Sequence, residues 1–213
     1  MAIISMTGTI LMALGLSVPF MAMVQSNDDD SQLVQAILEG NSNAFKGLVE
    51  QYQTRVYNVI YGMVHNREDA KELTQDTFIK AYKKLDSFQI GTKFYTWLCR
   101  IAVNTTIDHI RRMKLRQTTE FDENIAVSQD GSIDDSHYSD NPEKKALNDE
   151  LKKAIVEAID QLPEDQKQVL ILKEIDGLSY KEIAEIVGVP HGTVMSRLFY
   201  ARKKMQEILE QYK

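Results

Sequence analysis

The run Phe94-Tyr-Thr-Trp-Leu-Cys-Arg-Ile-Ala-Val-Asn-Thr-Thr-Ile-Asp-His-Ile-Arg-Arg-Met-Lys-Leu-Arg116 predicts one long helix. Trp97, Leu98, Ile101, Ala102 and Thr105 recur at helical spacing and form its inner stripe. Arg100, Asn104, Asp108 and Arg111 lie three or four residues apart and line up as a polar stripe. Rings crowd the start, at Phe94, Tyr95 and Trp97, while Arg111, Arg112, Lys114 and Arg116 crowd the end. Two readings fit. Rings can stack on bases that have left a duplex while the cations hold neighbouring phosphates. Alternatively, this is an amphipathic helix whose basic C-terminus favours its own dipole. The helix alone does not choose between them.

Composition narrows the field. With 213 residues the chain has room for one large domain or two small ones. Ten glycines, four prolines and little strict alternation predict an all-helical fold. The net charge of −6 is the opposite of what a nucleic-acid binder suggests, but the charge is segregated. Between Gln117 and Glu150 only Lys144 and Lys145 oppose a long series of acids, whereas His191 to Lys204 contains no acid against Arg197, Arg202, Lys203 and Lys204. A local basic face is what phosphate binding needs. The single cysteine, Cys99, has no intramolecular disulfide partner and reads as a small buried hydrophobe, in keeping with a reducing cytoplasm.

The N-terminus stands apart. Ala2 to Asn27 carry no charged side chain, and Ile10 to Val24 are mostly apolar. No basic residue precedes that run and no Ala-x-Ala site follows it, which argues against a signal peptide. A tether would put Asp28-Asp29-Asp30 on the cytoplasmic side, against the positive-inside tendency. Residues 1–30 are thus expected to be an extension, an anchor to a membrane or partner, or a start placed upstream of Met23.

The remainder divides into blocks. Residues 31–116 carry successive helical patterns: one capped by Asp30 or Ser31, a second from about Asn43 to His65, a third from about Glu68 to Leu85, then the long helix after a loop containing Phe88 and Gly91. Residues 117–141 are acidic and Ser/Asp-rich, the composition of a flexible linker. Residues 142–213 form a second helical domain with a break at Leu162-Pro163. In it, Ser179-Tyr-Lys-Glu182 is a capping box that opens a short helix with Ile183, Ala184 and Val187 inward. Gly188 makes the turn and Pro190 opens the next helix, with Val194, Leu198, Ala201 and Met205 inward. That is a helix-turn-helix, whose second helix can enter a major groove.

Taken in order, these segments resemble the extracytoplasmic-function sigma factors, the two-domain promoter-recognition subunits of bacterial RNA polymerase. The resemblance is carried by Glu68-Asp-Ala-Lys-Glu-Leu-Thr-Gln-Asp-Thr-Phe-Ile-Lys-Ala-Tyr82, Phe94-Tyr-Thr-Trp-Leu-Cys-Arg-Ile-Ala-Val-Asn104, Leu162-Pro163-Glu164, Gly177-Leu-Ser-Tyr-Lys-Glu-Ile-Ala184 and Val189-Pro-His-Gly-Thr-Val-Met-Ser-Arg197. It spans about Gln32 to Tyr212.

The resemblance implies an all-α fold of a region 2-like bundle and a region 4-like helix-turn-helix domain. It implies that Glu72, Gln75 and Asp76 face core RNA polymerase, through the coiled coil of its largest subunit, and that the second domain meets the flap of the second-largest. It assigns Lys80, Lys84, Phe88, Asn104, Arg111 and Arg112 to the minus-ten element, where a flipped base is captured. It assigns His191, Thr193, Ser196, Arg197, Phe199, Tyr200, Arg202 and Lys203 to the minus-thirty-five element, with Arg197 and Arg202 on phosphates. An anti-sigma factor is the further partner implied. Relatives often carry a basic residue at the places of Met195 and Tyr200 and an aromatic at that of Cys99, so the promoter sequence is left open.

Two other classes were weighed. A two-domain helix-turn-helix regulator outside the polymerase would leave the combination of rings, Asn104 and basic helix end without a purpose. An enzyme is not supported, since His65, His109, His137 and His191 are scattered and no nucleophile, metal or phosphate-loop motif occurs. No catalytic residue, cofactor, metal site or small-molecule substrate is expected.

Overall fold

A computed structural model describes residues 27–119 and 142–210. The apolar N-terminal segment and most of the acidic stretch before Pro142 lie outside the described residues. Among the described residues there are eight α-helices and no strand, and no helix is long and apolar enough to cross a membrane. The chain splits into two compact units.

The N-terminal unit holds α1 (Asn27–Leu38), α2 (Phe45–Val64), α3 (Arg67–Lys83) and α4 (Phe94–Thr119). The α2–α3 junction takes two residues. His65 adopts left-handed backbone (φ 53°) and donates its amide to the Tyr61 carbonyl at 2.8 Å. Asn66 then caps α3, its side chain accepting from the amides of Glu68 and Asp69 at 2.9 and 3.0 Å. The acids of that first turn also suit the helix dipole. Leu48, Val56, Val59 and Ile60 of α2, Ala70, Leu73, Thr77 and Ala81 of α3, and Leu98, Ala102 and Thr106 of α4 form the core. Cys99 is fully buried in it. α4 continues to Thr119, three residues into the stretch expected to be linker.

Asp30 is not the helix cap expected from its position. α1 already begins at Asn27, and Asp30 is only 4% exposed. Its carboxylate accepts from the Tyr52 hydroxyl at 2.5 Å and from the Gln51 amide at 3.0 Å, fastening α1 to α2. Burial raises the carboxyl above its usual range, more than these two hydrogen bonds lower it. Asp30→Ala is expected to destabilise this unit by about 1–3 kcal/mol, because two buried donors lose their acceptor. A raised folded-state pKa means the contribution of Asp30 is fully present below the unfolded carboxylate value and shrinks as pH rises through the folded one. Denaturant unfolding of both proteins should therefore show a gap that is widest in acid and narrows toward neutrality.

The C-terminal unit holds α5 (Pro142–Asp160), α6 (Glu164–Glu174), α7 (Tyr180–Val187) and α8 (His191–Leu209). Pro163 stands at the N-cap of α6, where no amide hydrogen bond is required of it. α8 packs on α5 and α6, burying Val194, Leu198, Ala201 and Met205 against a core that includes Ile155, Ile159, Leu170 and Ile171. The capping box forms as expected: Ser179 N–H donates to Glu182 Oε2 at 2.9 Å, and Glu182 N–H donates to Ser179 Oγ at 3.3 Å. Gly188 has φ 69°, a turn conformation that a Cβ would strain, and Pro190 caps α8.

Candidate nucleic-acid interface

In the N-terminal unit the expected residues separate into surface and core. Glu72 and Gln75 are exposed on α3 with Asp76 half-buried beside them, opposite a face that buries Leu73, Thr77 and Ala81. Lys84 and Asn104 are exposed, as are Arg111, Arg112, Lys114 and Arg116 at the end of α4. Lys80 is half-buried and donates to the Thr105 hydroxyl at 3.1 Å, so it bridges α3 to α4 one residue from Asn104. Arg112 donates from Nε to the Asp108 carbonyl at 3.2 Å.

The rings correct the sequence-based expectation. Phe88 is 6% exposed, packed edge-on to Phe94 and Trp97 with ring centroids 5.5 Å away in each case. Phe94 is fully buried and Tyr95 is 6% exposed. Tyr95 stacks on Tyr52 at 5.3 Å, and the Arg55 guanidinium lies 3.7 Å from its ring centroid. These rings are therefore core in the chain as folded, and Phe88 presents no open face to a base. The physical reason is burial: four aromatic side chains cluster where α2, α4 and the α3–α4 loop meet. What that loop does expose is Ile90, at 54%.

In the C-terminal unit, His191, Ser196, Phe199, Tyr200 and Lys203 are exposed on α8 and Thr193 is half-buried. His191 packs edge-on to Tyr180 at 5.6 Å. Ser196 donates its hydroxyl to the Thr193 carbonyl at 3.0 Å, and Lys203 reaches Glu207 at 3.9 Å. The two arginines differ from expectation. Arg197 Nε lies 3.1 Å from Asp165 Oδ2 on α6. Arg202 donates from Nε to Glu174 Oε1 at 3.0 Å and makes a second bond to the same oxygen from Nη2. Glu174 is only 2% exposed. Burial works against the charge on Arg202, and the Glu174 carboxylate more than reverses this, so the guanidinium pKa is raised. Arg202 thus neutralises a buried acid and is not a side chain held ready for phosphate.

Sequence reasoning missed Glu174 and Asp165. Glu174 had a signal: an acid one turn after Leu170 and Ile171 on an inward face has to find a cation.

A helical bundle with a basic helix end, followed by a helix-turn-helix with an acid-free second helix, defines a two-domain DNA-binding protein of the transcription machinery. Residues 48–116 match the family described as Sigma-70 region 2, and residues 152–205 the family described as Sigma-70, region 4. The RNA polymerase sigma-H factor of Pseudomonas aeruginosa is 36% identical over 188 residues, covering 87% of this chain and 96% of that protein. The ECF RNA polymerase sigma-E factor of Escherichia coli (strain K12) is 39% identical over 174 residues, covering 82% and 91%. Among solved structures, the sigma factor RpoE in complex with the anti-sigma factor NepR from Bartonella quintana matches with TM-score 0.59 and 27% identity over 78% of this chain and 96% of that one. CnrH in complex with the cytosolic domain of CnrY shares the fold, with TM-score 0.61 and 22% identity over 86% and 98%. The chain belongs to the extracytoplasmic-function sigma factors of the sigma-70 family.

Proposed function

We propose that this chain is an alternative sigma factor that docks on core RNA polymerase, opens the promoter with its N-terminal unit and anchors upstream with α8. The observation that carries the reading is the order of the two family matches, region 2 and then region 4, each on its own structural unit. The exposed α3 face of Glu72, Gln75 and Asp76 suits a basic helical partner, the coiled coil of the largest polymerase subunit, while the helix-turn-helix domain meets the flap of the second-largest. Lys80, Lys84, Asn104, Arg111 and Arg112 serve the minus-ten element. Phe88 supports that surface from beneath. The protein acts by binding and does no covalent chemistry. It works in the cytoplasm, where polymerase and promoter are, and a protein inhibitor of the anti-sigma kind is the natural means of silencing it.

Asn104 has the sharpest expected role. Melting breaks base stacks worth on average about 1.4 kcal/mol per step, so the protein needs contacts that exist only with the single strand. An amide side chain can pair with the edge of a flipped base as donor and acceptor together. Asn104→Ala is expected to leave polymerase binding unchanged and to slow opening about 10- to 100-fold, the rate cost of about 1.4–2.7 kcal/mol. A pre-melted mismatched bubble should recover much of that loss. No recovery from a folded, polymerase-bound variant would make Asn104 structural.

The reading as a whole is tested by reconstituted transcription with core RNA polymerase on genomic DNA, followed by start-site mapping. Starts that require the chain and share two upstream elements are expected. A chain that directs no starts with active core enzyme would overturn the reading.

A further inference from the structure

We infer that α8 reads its upstream element through apolar contact of Met195 and Phe199 with thymine methyl groups, in place of arginine–guanine pairing. The inference rests on the proposed role of α8 as the helix that enters the major groove. Met195 is 50% exposed and Phe199 64% exposed, unusual for large apolar side chains on a recognition helix. They are four residues apart, so they form one continuous flank. They are the fifth and ninth residues of α8, within the N-terminal part that a helix-turn-helix directs at base edges.

The usual alternative is closed off by the fold. Bidentate arginine to guanine is the commonest specific contact in the major groove, yet Arg197 is paired with Asp165 and Arg202 with buried Glu174. The Ser196 hydroxyl is already donated to the Thr193 carbonyl. What the flank offers a base pair is apolar surface, and thymine is the base that presents a methyl group in that groove. Charge favours DNA over an apolar protein helix as the occupant. No acid occurs from His191 to Lys204, and Lys203 and Lys204 are exposed within that stretch, the balance that suits a polyanion.

The test uses the full chain bound to core RNA polymerase. A duplex is selected from a random-sequence library, each thymine of its upstream element is replaced in turn by deoxyuridine, and binding is measured by competition. Only the methyl is removed. At one or two positions the wild-type complex is expected to lose about fourfold in affinity. A Met195→Ala/Phe199→Ala variant, whose unfolding midpoint should match wild type because both side chains are on the surface, is expected to bind thymine and uracil duplexes equally. That variant also controls for any effect of the methyl on the duplex itself. Methyl insensitivity of the wild type at every position would overturn the inference while leaving the sigma-factor reading intact. So would discrimination that persists in the variant, or a variant that binds every duplex as wild type does; in the last case the flank serves a protein partner. Failure to enrich any duplex would instead count against the sigma-factor reading itself, and the inference would fall with it.

Discussion

Arg202→Ala is expected to destabilise the C-terminal unit by about 3 kcal/mol, far more than loss of a surface phosphate contact. Removing one partner of a buried ion pair costs about 3–5 kcal/mol, because the remaining charge is stranded. The low end applies here, since the Arg202 side chain is 39% exposed and water partly screens the pair, whereas that of Glu174 is 2% exposed. Hydrogen exchange at the amides of α6 and α8 would report the loss. Replacing both residues with leucine should recover most of it, since a buried pair exchanged for apolar side chains is often neutral or stabilising. A double-mutant cycle then isolates the coupling. If Arg202→Ala kept wild-type protection and lost only DNA affinity, Arg202 would be a phosphate ligand after all.

Asp76→Arg should lower affinity for core RNA polymerase by about two orders of magnitude while leaving the fold intact. The residue lies on the side of α3 away from Leu73, Phe78 and Ala81, so the new side chain has solvent to occupy. Set against a basic partner, a reversed charge replaces attraction with like-charge contact, which costs several kcal/mol. A pull-down with core enzyme measures this directly. Unchanged affinity would remove α3 from the docking surface.

These two residues mark where sequence reading succeeded and where it did not. Helical spacing gave the course of α4, and the capping box, Gly188 and Pro190 gave the α7–α8 turn, because each depends on neighbours within a few positions. Spacing also assigns residues to a common face, which is why Glu72, Gln75 and Asp76 were legible as one surface. It does not say what covers that face. The partner of Arg202 stands 28 residues earlier in the chain, and Asp30 meets Tyr52 across a 22-residue separation. Phe88, Phe94 and Tyr95 read equally well as a stacking platform or as core until α2 and the α3–α4 loop were seen to enclose them. Exposed apolar Met195 and Phe199 registered only as a departure from the family pattern. Their meaning came from the arginines beside them being occupied.

The central claim is that this chain recognises promoters as a polymerase subunit and not as a free-standing regulator. The most direct measurement is binding of one start-site-mapped promoter by the chain alone, by core RNA polymerase alone and by the two together, with a scrambled duplex as competitor. The account predicts sequence-selective binding only when chain and core are combined. Full selectivity by the chain alone, with nothing gained on adding core enzyme, would contradict it.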